Sequence, residues 1–179
     1  MMFANLLLGA ALVVASPTNA PAVFSTEAER TFQMPDITER NVWLDCGIDF
    51  PPTSSNRIEI AFGPDVDGDG LLGDDEAPFV FSIDCGRMIV RDGSGNELHY
   101  EDVLDYPLQL SFVPARRGTG DIWKIGYADD APFASGAFSE GVSPLTAWNL
   151  ARVRMNGPDL ASARVSLQKN RFATVLIVR

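Results

Sequence analysis

Apolar and polar residues alternate with a period of two in short segments along this chain, and that rhythm points to an all-β fold. Arg57-Ile58-Glu59-Ile60-Ala61-Phe62 sends Ile58, Ile60 and Phe62 to one side of an extended backbone. Leu108, Leu110 and Phe112 alternate in the same way with Gln109 and Ser111, and Trp123, Ile125 and Tyr127 share a face within Asp121 to Tyr127. Thr31 to Met34, Asn41 to Cys46, Phe79 to Ile83, Arg87 to Arg91, Glu97 to Tyr100, Trp148 to Met155, Ala163 to Leu167 and Thr174 to Val178 are further strand-like runs. Asp92-Gly93-Ser94-Gly95-Asn96 has the residues of a hairpin turn. Ser139 to Leu145 and Tyr100 to Asp105 read as loops or single helical turns. Roughly nine to eleven short strands at this spacing predict a single β-sandwich or jelly-roll-like domain.

Between two of those strands lies Asp65-Val66-Asp67-Gly68-Asp69-Gly70-Leu71-Leu72-Gly73-Asp74-Asp75-Glu76. Six of its twelve residues are carboxylates, which would repel one another without a counter-charge. Asp65, Asp67, Asp69 and Glu76 can offer side-chain oxygens and Leu71 its carbonyl, while Gly70 allows a sharp turn. A hard cation such as Ca2+ takes about six to eight oxygens at about 2.3–2.6 Å, and this spacing supplies most of them from one segment. One calcium ion is the expected cofactor.

The segment resembles the EF-hand and dockerin-type DxDxDG calcium loop. The resemblance implies side-chain ligation by Asp65, Asp67, Asp69 and Glu76, carbonyl ligation by Leu71, and a water in the place opposite Gly73. It stops at the loop, because the flanks read as strands and Pro64 blocks a helix leading in, so the helix-opening switch of EF-hand sensors is not implied. Trp148-Asn149-Leu150-Ala151-Arg152-Val153 resembles a strand of laminin-G and concanavalin-like sandwiches, which implies a core position for the Trp. Phe62 to Gly70, followed by Asp84-Cys85-Gly86, is similar to a pattern in secreted bacterial proteins, which implies export and calcium but no activity.

Export has support in the residues themselves. Leu6 to Ala15 is an apolar run too short to cross a bilayer, followed by small residues, so residues 1–22 read as a signal peptide and 23–179 as the mature domain. Cys46 and Cys85 sit in matching contexts, Leu-Asp-Cys-Gly and Ile-Asp-Cys-Gly. In a secreted chain they are expected to form one disulfide, closing about 40 residues and contributing about 4 kcal/mol. The net charge of -10 and the absence of a basic cluster beyond Arg116-Arg117 argue against nucleic acid and anionic membranes as partners.

Catalytic signatures are few. His99 is the only histidine and sits in the alternating segment Glu97 to Glu101. Glu97, Glu101, Asp102, Asp105, Asp121 and Glu140 are the acids from which a glycosidase pair would be drawn. Trp43, Trp123, Tyr127, Phe133 and Phe138 could form a sugar platform, although the tryptophans read first as core, and residues 131–138 as a small-residue loop. The expectation is a non-enzymatic, calcium-stabilised binding or structural module at a bacterial cell surface. Its partner would be a glycan or another surface protein. A carbohydrate-binding, lectin-like domain is the alternative, and a calcium-dependent glycan-active enzyme the third reading.

Overall fold

The computed structural model describes residues 22–23, 28–38, 42–49, 56–102, 107–114, 120–127, 130–138, 144–157 and 163–171. The apolar leader and the strand expected over Thr174 to Val178 lie outside them. Twelve strands are described: β1 (Ala22–Val23), β2 (Ala28–Gln33), β3 (Val42–Asp49), β4 (Arg57–Gly63), β5 (Phe79–Asp84), β6 (Arg87–Asp92), β7 (Glu97–Asp102), β8 (Leu108–Val113), β9 (Ile122–Tyr127), β10 (Ala134–Ala137), β11 (Leu150–Asn156) and β12 (Arg164–Arg171). They form two antiparallel sheets. Sheet A has the order β1-β12-β3-β8-β9-β10 and sheet B the order β2-β11-β4-β5-β6-β7.

The alternation read from the sequence becomes the core. Ile58, Ile60 and Phe62 of sheet B turn inward with Phe79, Phe81 and Ile83, towards Leu44, Cys46, Leu110, Phe112 and Ile125 of sheet A, all essentially inaccessible. Phe62 and Phe112 meet edge-on across the two sheets at 4.6 Å, and Phe79 touches the same ring at 5.2 Å. Such tilted aromatic pairs add about 0.5–1.5 kcal/mol each beyond their burial.

Two strands escape the period-two signal. β1 is only two residues long, and β10 falls in the segment read as a loop. Ala134-Ser135-Gly136-Ala137 has low strand propensity, but it pairs with β9, and a side chain at Gly136 would collide with the Trp123 indole at 2.6 Å. Small residues are needed there because a large ring already fills the space. Phe138 packs on the core against Trp148 at 5.1 Å, while Phe133 leans on Tyr127 and stays partly exposed.

The expected Cys46–Cys85 disulfide is not formed; both cysteines are free. The two similar phrases have different backbone roles. Asp45-Cys46-Gly47 runs through the middle of β3, with Cys46 facing the core between Leu167 and Leu110. Asp84-Cys85-Gly86 turns the chain from β5 to β6 in sheet B, with Cys85 exposed at φ 54° and Gly86 at φ 81°. Two positive φ values in a two-residue turn match the twist of a tight hairpin. One sulfur is therefore sealed between the sheets and the other is at a tip in solvent.

Candidate metal loop and its anchors

Residues 65–76 connect β4 to β5 and fold back over the outer face of sheet B. The outward residues Ala61, Val80 and Leu150 are apolar where the loop lies, and Leu72 and Ala77 from the loop complete a small second cluster with them. Leu72 is 2% exposed, whereas its neighbour Leu71 is 59% exposed. The loop is thus docked by a hydrophobic plug as well as tethered at its ends.

Gly63 sets how closely the loop returns. A side chain there would stand 2.3 Å from the Glu76 carbonyl and 2.8 Å from Pro78. Gly68 and Gly70 adopt φ values of 79° and 78°, the left-handed region that glycine enters freely. Gly70 is where the ligand spacing predicted a sharp turn.

Within the loop the carboxylates accept backbone N–H groups. Asp65 accepts from Gly68 and Gly70 at 2.8 and 3.2 Å, and Glu76 accepts from Val66 and Gly73 at 3.0 and 2.9 Å. The result brings one oxygen each from Asp65, Asp67 and Glu76 within 4.8 Å of one another. Of the five expected ligands, these three converge. Asp69 is not part of this group; its carboxylate accepts the Leu71 N–H at 2.7 Å, and Leu71 has its side chain in solvent.

Three residues outside the expected ligand set hold the loop in place. The Asn149 side-chain oxygen accepts the Asp65 N–H at 2.7 Å, and its backbone N–H donates to Gly63, fixing the entry to the loop. Arg152, only 3% exposed, donates to the Leu72 carbonyl and pairs with Asp74 at 2.5 Å and with Glu59 at 3.5 Å. Arg154 pairs with the same Asp74 at 2.8 Å and with Glu29 at 2.8 Å. Hydrogen bonds from Arg154 and Arg152 keep the Asp74 carboxyl below its ordinary range. The only sequence signal for this clamp was two arginines two residues apart on one strand, β11; the register then sets Arg154 directly opposite Glu59 and Glu29 on its neighbours.

Of the acids weighed for catalysis, four are described. Glu97, Glu101 and Asp102 are exposed on the edge strand β7, and His99 pairs there with Glu101 at 3.2 Å. Asp121 accepts the Leu145 N–H at 2.7 Å, tying a 3-10 turn to β9's start. Asp105 and Glu140 lie outside the described residues.

Trp123 and Trp148 are core residues, as read, but Trp43 is not. It faces outward from sheet A, half-buried, and its indole Nε1 donates to Asp45 at 2.9 Å. Strand parity explains this: Val42, Leu44 and Cys46 take the inner face of β3 and leave Trp43 and Asp45 on the outer one.

No described protein family and no curated protein matches the chain. Several solved structures resemble it. Sheep galectin-11 in complex with glycerol is 13% identical, covering 82% of this chain and 99% of its own, at a TM-score of 0.46. The Caenorhabditis elegans galectin LEC-6 is 15% identical over 89% of this chain and 100% of its own, at 0.49. The CBM2 module of the Lactobacillus casei BL23 phage J-1 evolved Dit is 11% identical over 83% and 72%, at 0.46. At such identities and scores these likenesses speak to neither ligand nor activity.

Proposed function

We propose that this chain is a secreted, calcium-stabilised binding module for a cell surface, with one Ca2+ held by the loop at residues 65–76. The observation that carries the reading is the convergence of Asp65, Asp67 and Glu76 within 4.8 Å in a loop anchored by Arg152. Three carboxylate oxygens at that separation suit a single hard cation, with Asp69, the Leu71 carbonyl and water completing the shell on binding. The ion is structural in this reading. It neutralises a loop that joins two strands of one sheet, and among the described residues no helix pair lies beside it to open. Export rests on the leader and the resemblance of the loop segment to secreted proteins. A non-catalytic role fits the edge and tethering positions of Glu97, Glu101, Asp102 and Asp121.

Isothermal calorimetry on the mature domain tests the metal. Calcium should give a saturable one-site isotherm and magnesium a much weaker one, since Mg2+ demands a tighter octahedron. The double change Asp67→Ala and Glu76→Ala should remove the signal. A flat trace with millimolar calcium would sink the reading.

A carbohydrate-binding role is the second reading. It is favoured by the half-buried indole of Trp43 set beside polar side chains on the outer face of sheet A.

A further inference from the structure

β3 sends its apolar residues to the core, and Trp43, Asp45, Gly47 and Asp49 outward. On this face the Trp43 indole is half-buried. It is held in place. Trp43 Nε1 and Asn170 Nδ2 both donate to Asp45 Oδ2, at 2.9 and 2.5 Å, and the Ser111 hydroxyl donates to Asp45 Oδ1 at 2.5 Å. Gln168 then donates to Asn170 at 3.0 Å. Asp45 is 9% exposed, so a nearly buried carboxylate is fully engaged in orienting side chains from three adjacent strands. Hydrogen bonds to a charged acceptor are the stronger kind, and a ring fixed before binding loses less entropy when a ligand lands on it.

Next to this network the face sinks into a cavity of about 340 Å³, bordered by Asp45, Gln109, Ser166 and Gln168. Its floor is open because Gly47 carries no side chain; a Cβ there would press on the Ser166 hydroxyl at 2.8 Å. Arg164 and Asp49, 3.8 Å apart, line its other side. Gln109 and Ser166 are half-buried and make no side-chain hydrogen bond with any described residue. Their amide and hydroxyl groups can each donate and accept, which is what sugar hydroxyls require.

We infer that the outer face of sheet A binds a neutral oligosaccharide, with a sugar ring stacked on Trp43 and hydroxyls bonded by Gln109, Ser166 and Gln168. Asp45 is the positioning residue that fixes the indole. The inference rests on the carbohydrate-binding reading and gives it a place and a ligand class. Neutral sugars fit because the Asp45 carboxylate lies at the centre of the face and the whole chain carries a charge of -10, both of which repel acidic glycans.

The test titrates the full chain with cellohexaose, xylohexaose and β-1,4-galactotetraose, with dextran sulfate as the acidic comparator. Calorimetry and tryptophan emission are both read. Trp43 is half-buried, whereas Trp123 and Trp148 are 2% and 3% exposed, so stacking should shift the emission through Trp43. At least one neutral oligosaccharide should bind. Trp43→Ala and Gln109→Ala should each weaken it about tenfold, and Arg91→Ala, on the outer face of sheet B, should leave it unchanged. If Trp43→Ala does not fold, Gln168→Ala at an exposed position, with the wild-type emission shift, carries the same test. Binding that survives the sheet A changes, or that leaves the emission untouched, overturns the site and leaves the carbohydrate-binding reading standing. Preference for dextran sulfate overturns the neutral class. No binding to any of these probes overturns both the reading and the site.

Discussion

Arg152 on β11 and Asp74 in the candidate metal loop are joined at 2.5 Å, and the same guanidinium holds the Leu72 carbonyl beneath the loop. The two partners stand on opposite sides of the surface: Arg152 is 4% exposed in its side chain and Asp74 75%. That asymmetry decides what each contributes. Arg152→Met keeps the buried volume but leaves the Leu72 carbonyl without its donor, a loss of roughly 1–3 kcal/mol. Asp74→Asn removes a solvent-screened charge and should cost no more than about 1 kcal/mol. Chemical denaturation of both variants checks the ranking; equal losses would show that the ion pair, and not the clamp on the Leu72 carbonyl, anchors the loop.

Calcium should act on stability and leave the fold as it is. An ion that binds only the folded state adds about 2.7 kcal/mol at a hundredfold excess over its Kd. The melting temperature should fall in chelator while the far-ultraviolet circular dichroism at low temperature remains that of a β protein. A large spectral change on chelation, with the chain otherwise folded, would point to a switch.

Gly63→Ala should be more damaging than Gly70→Ala. At Gly70 the added methyl meets open space, and only the left-handed backbone is strained, costing about 1 kcal/mol. At Gly63 the methyl strikes the Glu76 carbonyl, so the return of the loop must shift, at a cost of about 1–3 kcal/mol, and the Glu76 carboxylate shifts with it. Thermal melts with and without calcium would show both losses, and calcium affinity should drop further in Gly63→Ala.

The two thiols should be distinguishable by access. Native protein should label at Cys85 alone with a small alkylating reagent, and denatured, unreduced protein at both cysteines. Cys85 should react slowly for an exposed thiol, because its hydrogen bond to Asp84 raises its pKa. Burial pushes the Cys46 thiol up further. A count of zero in denaturant would mean that the sulfurs are bridged and the arrangement of β3 against the β5–β6 turn is wrong.

The β6–β7 hairpin should weaken in acid. Asp92 accepts the backbone N–H of Ser94 and of Asn96 and the Asn96 side-chain amide, at 2.9, 2.9 and 3.0 Å. The Asn96 side-chain bond is the largest cause of its lowered pKa. A carboxyl with a depressed folded value contributes above its unfolded pKa, near 3.8, and loses that contribution as pH falls through the lower folded one. The gap in melting temperature between wild type and Asp92→Ala should therefore hold at neutral pH and close below pH 3.8.

Period-two alternation determined most of this protein from the chain alone. Ile58, Ile60 and Phe62 had to share a face, and so did Leu108, Leu110 and Phe112, because successive side chains on a strand point to opposite sides. The loop was legible for a similar reason: its turn at Gly70 and the carboxylates at Asp65, Asp67 and Glu76 are local, set by spacing within twelve residues. What the chain alone could not decide was every relationship across long separations. Cys46 and Cys85 share a local phrase, but whether their sulfurs meet depends on which sheet each joins. In the sequence Arg152 and Asn149 belong only to a sandwich-like strand phrase, until β11 pairs with β4 and brings them against a loop some 80 residues earlier. Trp43 looked like core by its type, and only the parity of β3 against β8 and β12 turned it outward beside Asp45. A local pattern is governed by the backbone's own geometry. Which face meets which partner is settled only when the sheets assemble, because burial is a property of the whole packed chain.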